Sequence, residues 1–190
     1  MDQYRLIVLC GKAGAGKDYL LQKIYELHNT DLNLIISDTT RPPRLPNEQN
    51  GVSYNFLTPE EFEKRKHIEI SSFNNWLYGT PLDSLRKDKI NIGILNLSGI
   101  TQISHNQEID LKIFYVTAKD KTRILRQITR EENPNVKEIC RRFIADEMDF
   151  SDINNLKCVE LRNENTADLI YSLQTISNLI TDWTKENNNI

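Results

Sequence analysis

Cys10-Gly11-Lys12-Ala13-Gly14-Ala15-Gly16-Lys17-Asp18 (CGKAGAGKD) sets a glycine, four residues, then Gly16 and Lys17, the G-x-x-x-x-G-K spacing of a phosphate-binding loop. Glycines at 11, 14 and 16 let the backbone turn tightly and bring its N–H groups up to an anion. Those N–H groups form a nest, and a helix that follows adds the positive end of its dipole. The flanks have the required order: Tyr4–Leu9 reads as a buried strand and Tyr19–Leu27 as an amphipathic helix. The phosphate contacts of a bound ATP are therefore expected from Gly11, Ala13, Gly14, Ala15, Gly16, Lys17, Asp18 and Tyr19, with Lys17 as the catalytic cation. One position departs from the motif. The residue after Lys17 is ordinarily Ser or Thr, whose hydroxyl binds Mg²⁺; here it is Asp18. A carboxylate is a good ligand for a hard cation and also suits a helix N-terminus, so Asp18 reads either as the metal ligand or as a simple helix-start charge.

The surrounding chain bounds the rest. Its 190 residues suit one domain with small insertions, and 27% charged with 38% hydrophobic residues is ordinary for a soluble globular protein. A net charge of −3 offers no basic surplus for nucleic acid, so anionic ligands must be met by local clusters. The three cysteines, Cys10, Cys140 and Cys158, lack a C-x-x-C spacing and read as reduced thiols of a cytoplasmic protein. Neither a signal peptide nor a membrane-spanning apolar run is evident, so no membrane partner is expected. His28, His67 and His105 show no metal-ligand spacing and read as surface histidines.

Further along, Leu32–Ile36 reads as a short strand and 37–51 (SDTTRPPRLPNEQNG) as a loop in which prolines stiffen the presentation of Arg41 and Arg44. Val52–Leu57 reads as a strand, and Thr58-Pro59-Glu60-Glu61 as a helix start with Thr as cap. That helix is expected to run to about Lys66, followed by strands at Ile68–Phe73 and Trp76–Tyr78 and a short helix at Leu82–Lys87. Ile90–Leu97 and Leu111–Val116 read as central buried strands. Helices are expected at Asp120–Arg130 and Lys137–Met148, a last strand at Cys158–Leu161 and a closing helix at Thr166–Lys185. Strands separated by helices imply an α/β fold, a parallel sheet with helices on both faces. The expected division is a core of 1–36, 89–125 and 149–190, a small mixed α/β insertion at 37–88 and a helical lid at 126–148.

Taken in order, these segments resemble the guanylate kinase family of P-loop nucleoside monophosphate kinases over nearly the full length, and the phosphate loop resembles that of phage-type nucleotide kinases. SDTTRPPR at 37–44 is similar to the family's S-x-T-T-R-x-P-R; Gly51, Tyr54 and Phe56, then Glu60-Glu61-Phe62, continue the match, as do Glu69 and Tyr78-Gly79-Thr80. The resemblance implies that Arg41, Arg44, Tyr54 and Tyr78 hold the phosphate of an acceptor nucleotide and that Ser37, Glu69 and Thr80 read its base. Guanidiniums and phenols suit a phosphate dianion, and a carboxylate suits the N1–H and N2–H₂ edge of guanine. It implies that Arg126, Arg130 and Arg142 close over ATP with Mg²⁺ as catalytic cations and that Asn163 lies on the adenine side. Arg123 and Arg142 read equally well as solvated surface.

The family's D-x-D-x-Q-G appears here as Ile94-Leu95-Asn96-Leu97-Ser98-Gly99, which removes both acids and places Asn96 at the base site. The implied reaction is ATP plus (d)GMP to ADP plus (d)GDP, by a monomer or homodimer acting on small-molecule nucleotides. Two alternatives stand beside it: a broader deoxynucleoside monophosphate kinase, and a catalytically silent guanylate-kinase-like binding module. Against the silent module, Lys17, Arg126 and Arg130 are all present; against a GTPase switch, no N-K-x-D motif occurs.

Overall fold

The computed structural model describes residues 3–43, 48–73, 75–130 and 132–188. Arg44, expected at the acceptor phosphate, lies outside the described residues.

The first strand, β1 (Tyr4–Cys10), is buried on both faces and so can be apolar throughout. Its alternation divides the core: Ile7 and Leu9 join one cluster, Leu6, Val8 and Cys10 the other. Helix α1 (Lys17–His28) follows, then β2 (Leu32–Leu34). After an excursion through a second sheet the chain returns as β7 (Ile90–Ile94), α3 (Leu97–Ile103), β8 (Ile109–Thr117), α4 (Asp120–Thr129), α5 (Val136–Asp149), β9 (Val159–Arg162) and α6 (Thr166–Asn188). The main sheet is parallel, in the order β2-β7-β1-β8-β9. Leu20 and Ile24 of α1 pack with Ile176, Ile180 and Trp183 of α6 on one face, and Ile100 and Ile103 of α3 cover the other. The connections after β1 and its neighbour β7 thus leave toward opposite faces, which opens a crevice at the carboxyl ends of the strands.

The excursion builds a four-stranded mixed sheet in the order β4-β3-β6-β5 from β3 (Asp38–Thr39), β4 (Asn55–Phe56), β5 (His67–Phe73) and β6 (Trp76–Pro81). Helix α2 (Pro59–Lys64) starts at a reciprocal capping box: Thr58 Oγ1 accepts from Glu61 N–H at 3.2 Å, and Glu61 Oε2 accepts from Thr58 N–H at 2.8 Å.

Four expectations need correction. The 37–51 loop contains a strand, β3, because its short run pairs across to β6 at Asp38↔Gly79 and Thr39↔Tyr78. The strand expected at Val52–Leu57 shrinks to Asn55–Phe56, as residues 51–53 turn. The strand expected at Ile90–Leu97 ends at Ile94, because Asn96 caps a helix, α3, by accepting from Gly99 N–H at 2.8 Å. His67 is a core residue instead of a surface one: its Nε2 lies 2.9 Å from the fully buried Asp38 and its ring stacks on Phe62 at 4.2 Å. Asp38 also accepts from Asn55 and Arg65, each at 2.8 Å, so one buried carboxylate ties β3, β4 and β5 together.

Candidate functional site

The phosphate loop fills the link between β1 and α1. Gly14 (φ +78°) and Gly16 (φ +94°) take left-handed backbone, and a Cβ at either would clash: at 2.4 Å with the Arg123 carbonyl oxygen and at 2.3 Å with Asn163 Nδ2. Glycine is needed there for both conformation and close approach. Lys17 Nζ donates to the carbonyls of Gly11 (2.6 Å) and Lys12 (3.2 Å), folded back over its own loop. Burial lowers its pKa below the ordinary lysine value; the carboxylates of Asp18 and Asp146 oppose that shift. Asp18 and Tyr19 stand exposed on the first turn of α1.

The loop is braced from beneath by side chains of distant segments. Arg126 donates to the Ala15 carbonyl at 3.2 Å and to the Asn163 carbonyl at 2.8 Å, and Asn163 Nδ2 donates to the Ala15 carbonyl at 2.8 Å. Both were expected to face ATP; in this conformation both serve the loop backbone. Arg123, which sequence alone assigns equally well to solvated surface, is instead buried at 1% exposure. Its Nε donates to the Ala13 carbonyl at 3.1 Å, its fork meets Asp120 (2.9 Å), Asp146 (3.0 Å) and Glu147 (3.1 Å), and its guanidinium lies 4.8 Å from the centre of the Phe143 ring. Asp146 also accepts directly from the Ala13 N–H at 2.6 Å, and Glu147 pairs with Lys12. Asp146 and Glu147 lie 133 and 135 residues from the loop positions they hold, so no local pattern announced them.

Across the crevice the second sheet presents its own cluster. Arg41 is 4% exposed; it is paired in a fork with Glu48 at 2.9 and 3.0 Å and lies 5.5 Å and 5.7 Å from the ring centres of Tyr54 and Phe56. Desolvation pulls its pKa down, but bonds to Glu48 and Tyr78 outweigh this and raise it. Tyr54 and Tyr78 meet edge to face at 6.0 Å. Burial raises the Tyr54 pKa, with smaller contributions from Tyr78 and from Asp18.

Deeper in the sheet, Glu69 (4% exposed) and Thr80 (0%) are cross-strand partners, with Thr80 Oγ1 donating to Glu69 Oε1 at 2.8 Å. Burial pushes the Glu69 pKa up, against the hydrogen bonds from Thr80. A Cβ at Gly99 would sit 2.5 Å from Glu69 Oε2, so only glycine lets α3 approach that carboxylate. Asn96, besides capping α3, donates to Ser71 Oγ at 2.8 Å, and Gln102 exchanges bonds with the Ile70 backbone at 2.8 and 3.1 Å. Helix α3 thereby joins the second sheet to the first. Ser37 is half-buried at the start of β3, where its carbonyl accepts from Asn55 N–H at 2.9 Å.

Between the second-sheet segment and α4–α5 lies an open cavity of about 510 Å³ lined by Arg41, Pro42, Pro43 and Trp76 on one side and by Gln127, Arg130, Asn135, Glu138, Ile139 and Arg142 on the other. Arg41, Arg130 and Arg142 converge on it from different elements. Arg142 pairs with Glu138 at 2.8 Å, and Arg141 and Arg142 together hold the Glu138 carboxyl down at about 2. Arg130 is exposed and makes no ion pair among the described residues. Such an array is built to gather anionic groups. No cluster of three or more His, Cys, Asp or Glu able to hold a metal occurs among the described residues, and no described helix is long and apolar enough to cross a membrane.

The guanylate kinase family profile matches residues 3–178. The guanylate kinase of Sus scrofa is 31% identical over 160 residues, covering 79% of each chain. That of Malacoplasma penetrans is 32% identical over 170 residues, covering 80% of this chain and 85% of the relative. The crystal structure of guanylate kinase from Anaplasma phagocytophilum superposes with a TM-score of 0.65 over 96% of this chain and 87% of that one, at 17% identity, which shows a shared fold.

Proposed function

Because this chain belongs to the guanylate kinase family, it is a nucleoside monophosphate kinase that moves a phosphoryl group from ATP to GMP, and we propose that the reaction takes place in the cavity between the second sheet and α5. The observation that carries this siting is the convergence of Arg41, Arg130 and Arg142 on one opening. In this reading 37–88 is the acceptor-binding unit and 126–148 the lid.

Loop N–H groups and Lys17 cradle the β- and γ-phosphates of ATP. Arg41, with the Tyr54 and Tyr78 hydroxyls, takes the acceptor phosphate, and Glu69 with Thr80 accepts from the base. Asn96 contributes through Ser71 and α3 instead of reaching the base alone. Arg130 and Arg142 neutralise charge on the phosphoryl group in flight, so catalysis is positioning and electrostatics without a covalent intermediate. Arg126 and Asn163 act on ATP through the loop they brace.

Mg²⁺ would supply charge neutralisation between the phosphates. The chain fits it through Asp18 alone: Mg²⁺ keeps several waters and takes one or two carboxylates plus phosphate oxygens, so a protein cage is not required. A coupled assay of ATP against all eight common (d)NMPs tests the reading, with GMP and dGMP as the expected acceptors. Equal turnover of every NMP, or of none, would overturn it. In the same assay Asp18→Asn should raise the Mg²⁺ concentration needed for half-maximal rate; an unchanged requirement would remove the metal assignment alone.

A further inference from the structure

Two acids at the end of α5 lie on the phosphate loop itself. Asp146 Oδ2 accepts from the Ala13 N–H at 2.6 Å while holding Arg123 at 3.0 Å, and Glu147 reaches Lys12 next door. Ala13 stands inside the G-x-x-x-x-G-K loop, where backbone N–H groups point at a bound anion. A carboxylate therefore occupies a donor that the nucleotide's terminal phosphates would otherwise use. Asp146 is only 17% exposed at its side chain, and Arg123, at 2%, holds it from below. The contact is a built one, fixed by a buried guanidinium that also carries the Ala13 carbonyl at 3.1 Å.

Building on the assignment of this loop to ATP, we propose that Asp146 is a positioning residue that competes with the ATP phosphates for the Ala13 amide, so that nucleotide binding and release of the C-terminal end of α5 are coupled. One N–H cannot serve a carboxylate and a phosphate oxygen in good geometry at once. The two anions also repel each other at close range, and burial strengthens that repulsion. When ATP enters, Asp146 must leave the loop. Because α5 also carries Arg142 and Glu138 into the cavity, its departure resets the lid arginines at the moment the donor site fills. The empty enzyme is held with its loop shaped but closed off by its own carboxylate, and ATP binds at the expense of that contact.

Calorimetric titration of the full chain with ATP, and separately with inorganic tripolyphosphate, tests this without any acceptor. Asp146→Asn keeps the size and an acceptor oxygen but removes the charge. It should tighten binding of both probes by about ten- to a hundredfold, the range of one charge-assisted hydrogen bond. Asp146→Ser, which removes the reach as well, should tighten binding too, so the outcome does not hang on one variant folding. Asp120→Asn is the control. Asp120 holds the same Arg123 guanidinium at 2.9 Å but is 66% exposed at its side chain and has no bond to the loop. Its Kd values should stay within about twofold. Equal tightening by Asp120→Asn would assign the effect to the freed Arg123 charge and overturn the proposal, as would unchanged or weaker binding in both folded Asp146 variants. The parent reading is checked separately: wild-type binding must be lost in Lys17→Met, and if it is not, the loop is not the ATP site whatever Asp146 does.

Discussion

In the proposed reading the donor and acceptor sides of the crevice hold a phosphate by opposite means. On the donor side backbone N–H groups would do the recognising, and the long cations beneath them are spent on the loop itself. Arg123, Arg126 and Asn163 all bond to its carbonyls, and Asp146 to an amide. On the acceptor side the backbone is tied up in a sheet, and side chains would do the recognising. Arg41 lies against two neighbouring aromatic rings with its fork held by Glu48, and Tyr54 and Tyr78 stand edge to face beside it. A braced backbone gives a rigid, base-blind grip suited to a triphosphate. Side chains on a separate sheet give a grip that can be tuned without disturbing the first.

The largest effect should come from Lys17, the side chain placed at the ATP phosphates in this reading. Lys17→Met should lower kcat by about 10²–10³ or more, the scale of losing one preorganised charge at the reacting phosphates, while leaving the melting temperature near that of the wild type. A folded variant with near-normal turnover would mean that this loop is not the ATP site.

On the acceptor side, Arg41→Ala should raise the KM for GMP far more than that for ATP. Losing a hydrogen bond to a charged group costs about 1.5–3 kcal/mol, or roughly ten- to a hundredfold. Steady-state kinetics with each substrate varied in turn reads the split. Equal changes in both KM values would join the two sides into one site and dissolve the contrast. Because Arg41 is buried against Glu48, some loss of stability accompanies the change, but stability loss alone would not select one substrate.

How much of this was legible follows the same divide. The strand-loop-helix order of 4–28 and the spacing of its glycines were local, and so was the capping box at Thr58. Local periodicity also placed the parallel core strands to within a few residues. What sequence could not show was long-range pairing. Arg123 sits on a helix beside Arg126 and Arg130 and looks like one of three similar cations, yet it alone is buried. Its fate is decided by Asp146 and Glu147 two elements later. His67 had no metal-like spacing and read as surface; a buried Asp38 in another strand drew it inside. Helix α3 did leave a signal, an Asn cap with apolar residues at 97, 100 and 103, but the apolar run before it masked the boundary. Asn96 followed suit: expected at the base, it is exposed and engaged as a cap and a tie to Ser71.

The smallest expected effect sharpens the contrast most, because it sets function against stability at one acceptor-side residue. Glu69 is buried beside Thr80, and burial raises its pKa. A carboxyl whose folded pKa lies above its unfolded one favours folding while protonated. That contribution is complete below the unfolded pKa, about 4.3 for a free glutamate, and is lost as pH rises through the folded value. Glutamine does not titrate. Glu69→Gln should therefore match the wild type in melting temperature at acid pH and exceed it increasingly as pH rises through the raised pKa, then level off. The gain should be a few degrees at most, since about 1 kcal/mol is worth about 2–4 °C in a chain of this size. The same variant should bind GMP more weakly, because its amide can turn N–H donors toward a base edge that is itself donating. On the donor side Lys17 is the counterpart: two loop carbonyls accept from it, yet burial still lowers its pKa. Thermal melts from pH 4 to 8 with GMP titrations on the same samples decide the matter. A Gln variant that is no more stable than the wild type at pH 8 would show that the buried carboxylate is already compensated by Thr80, and that the acceptor side, unlike the donor side with its buried Lys17, carries its ligand group without strain.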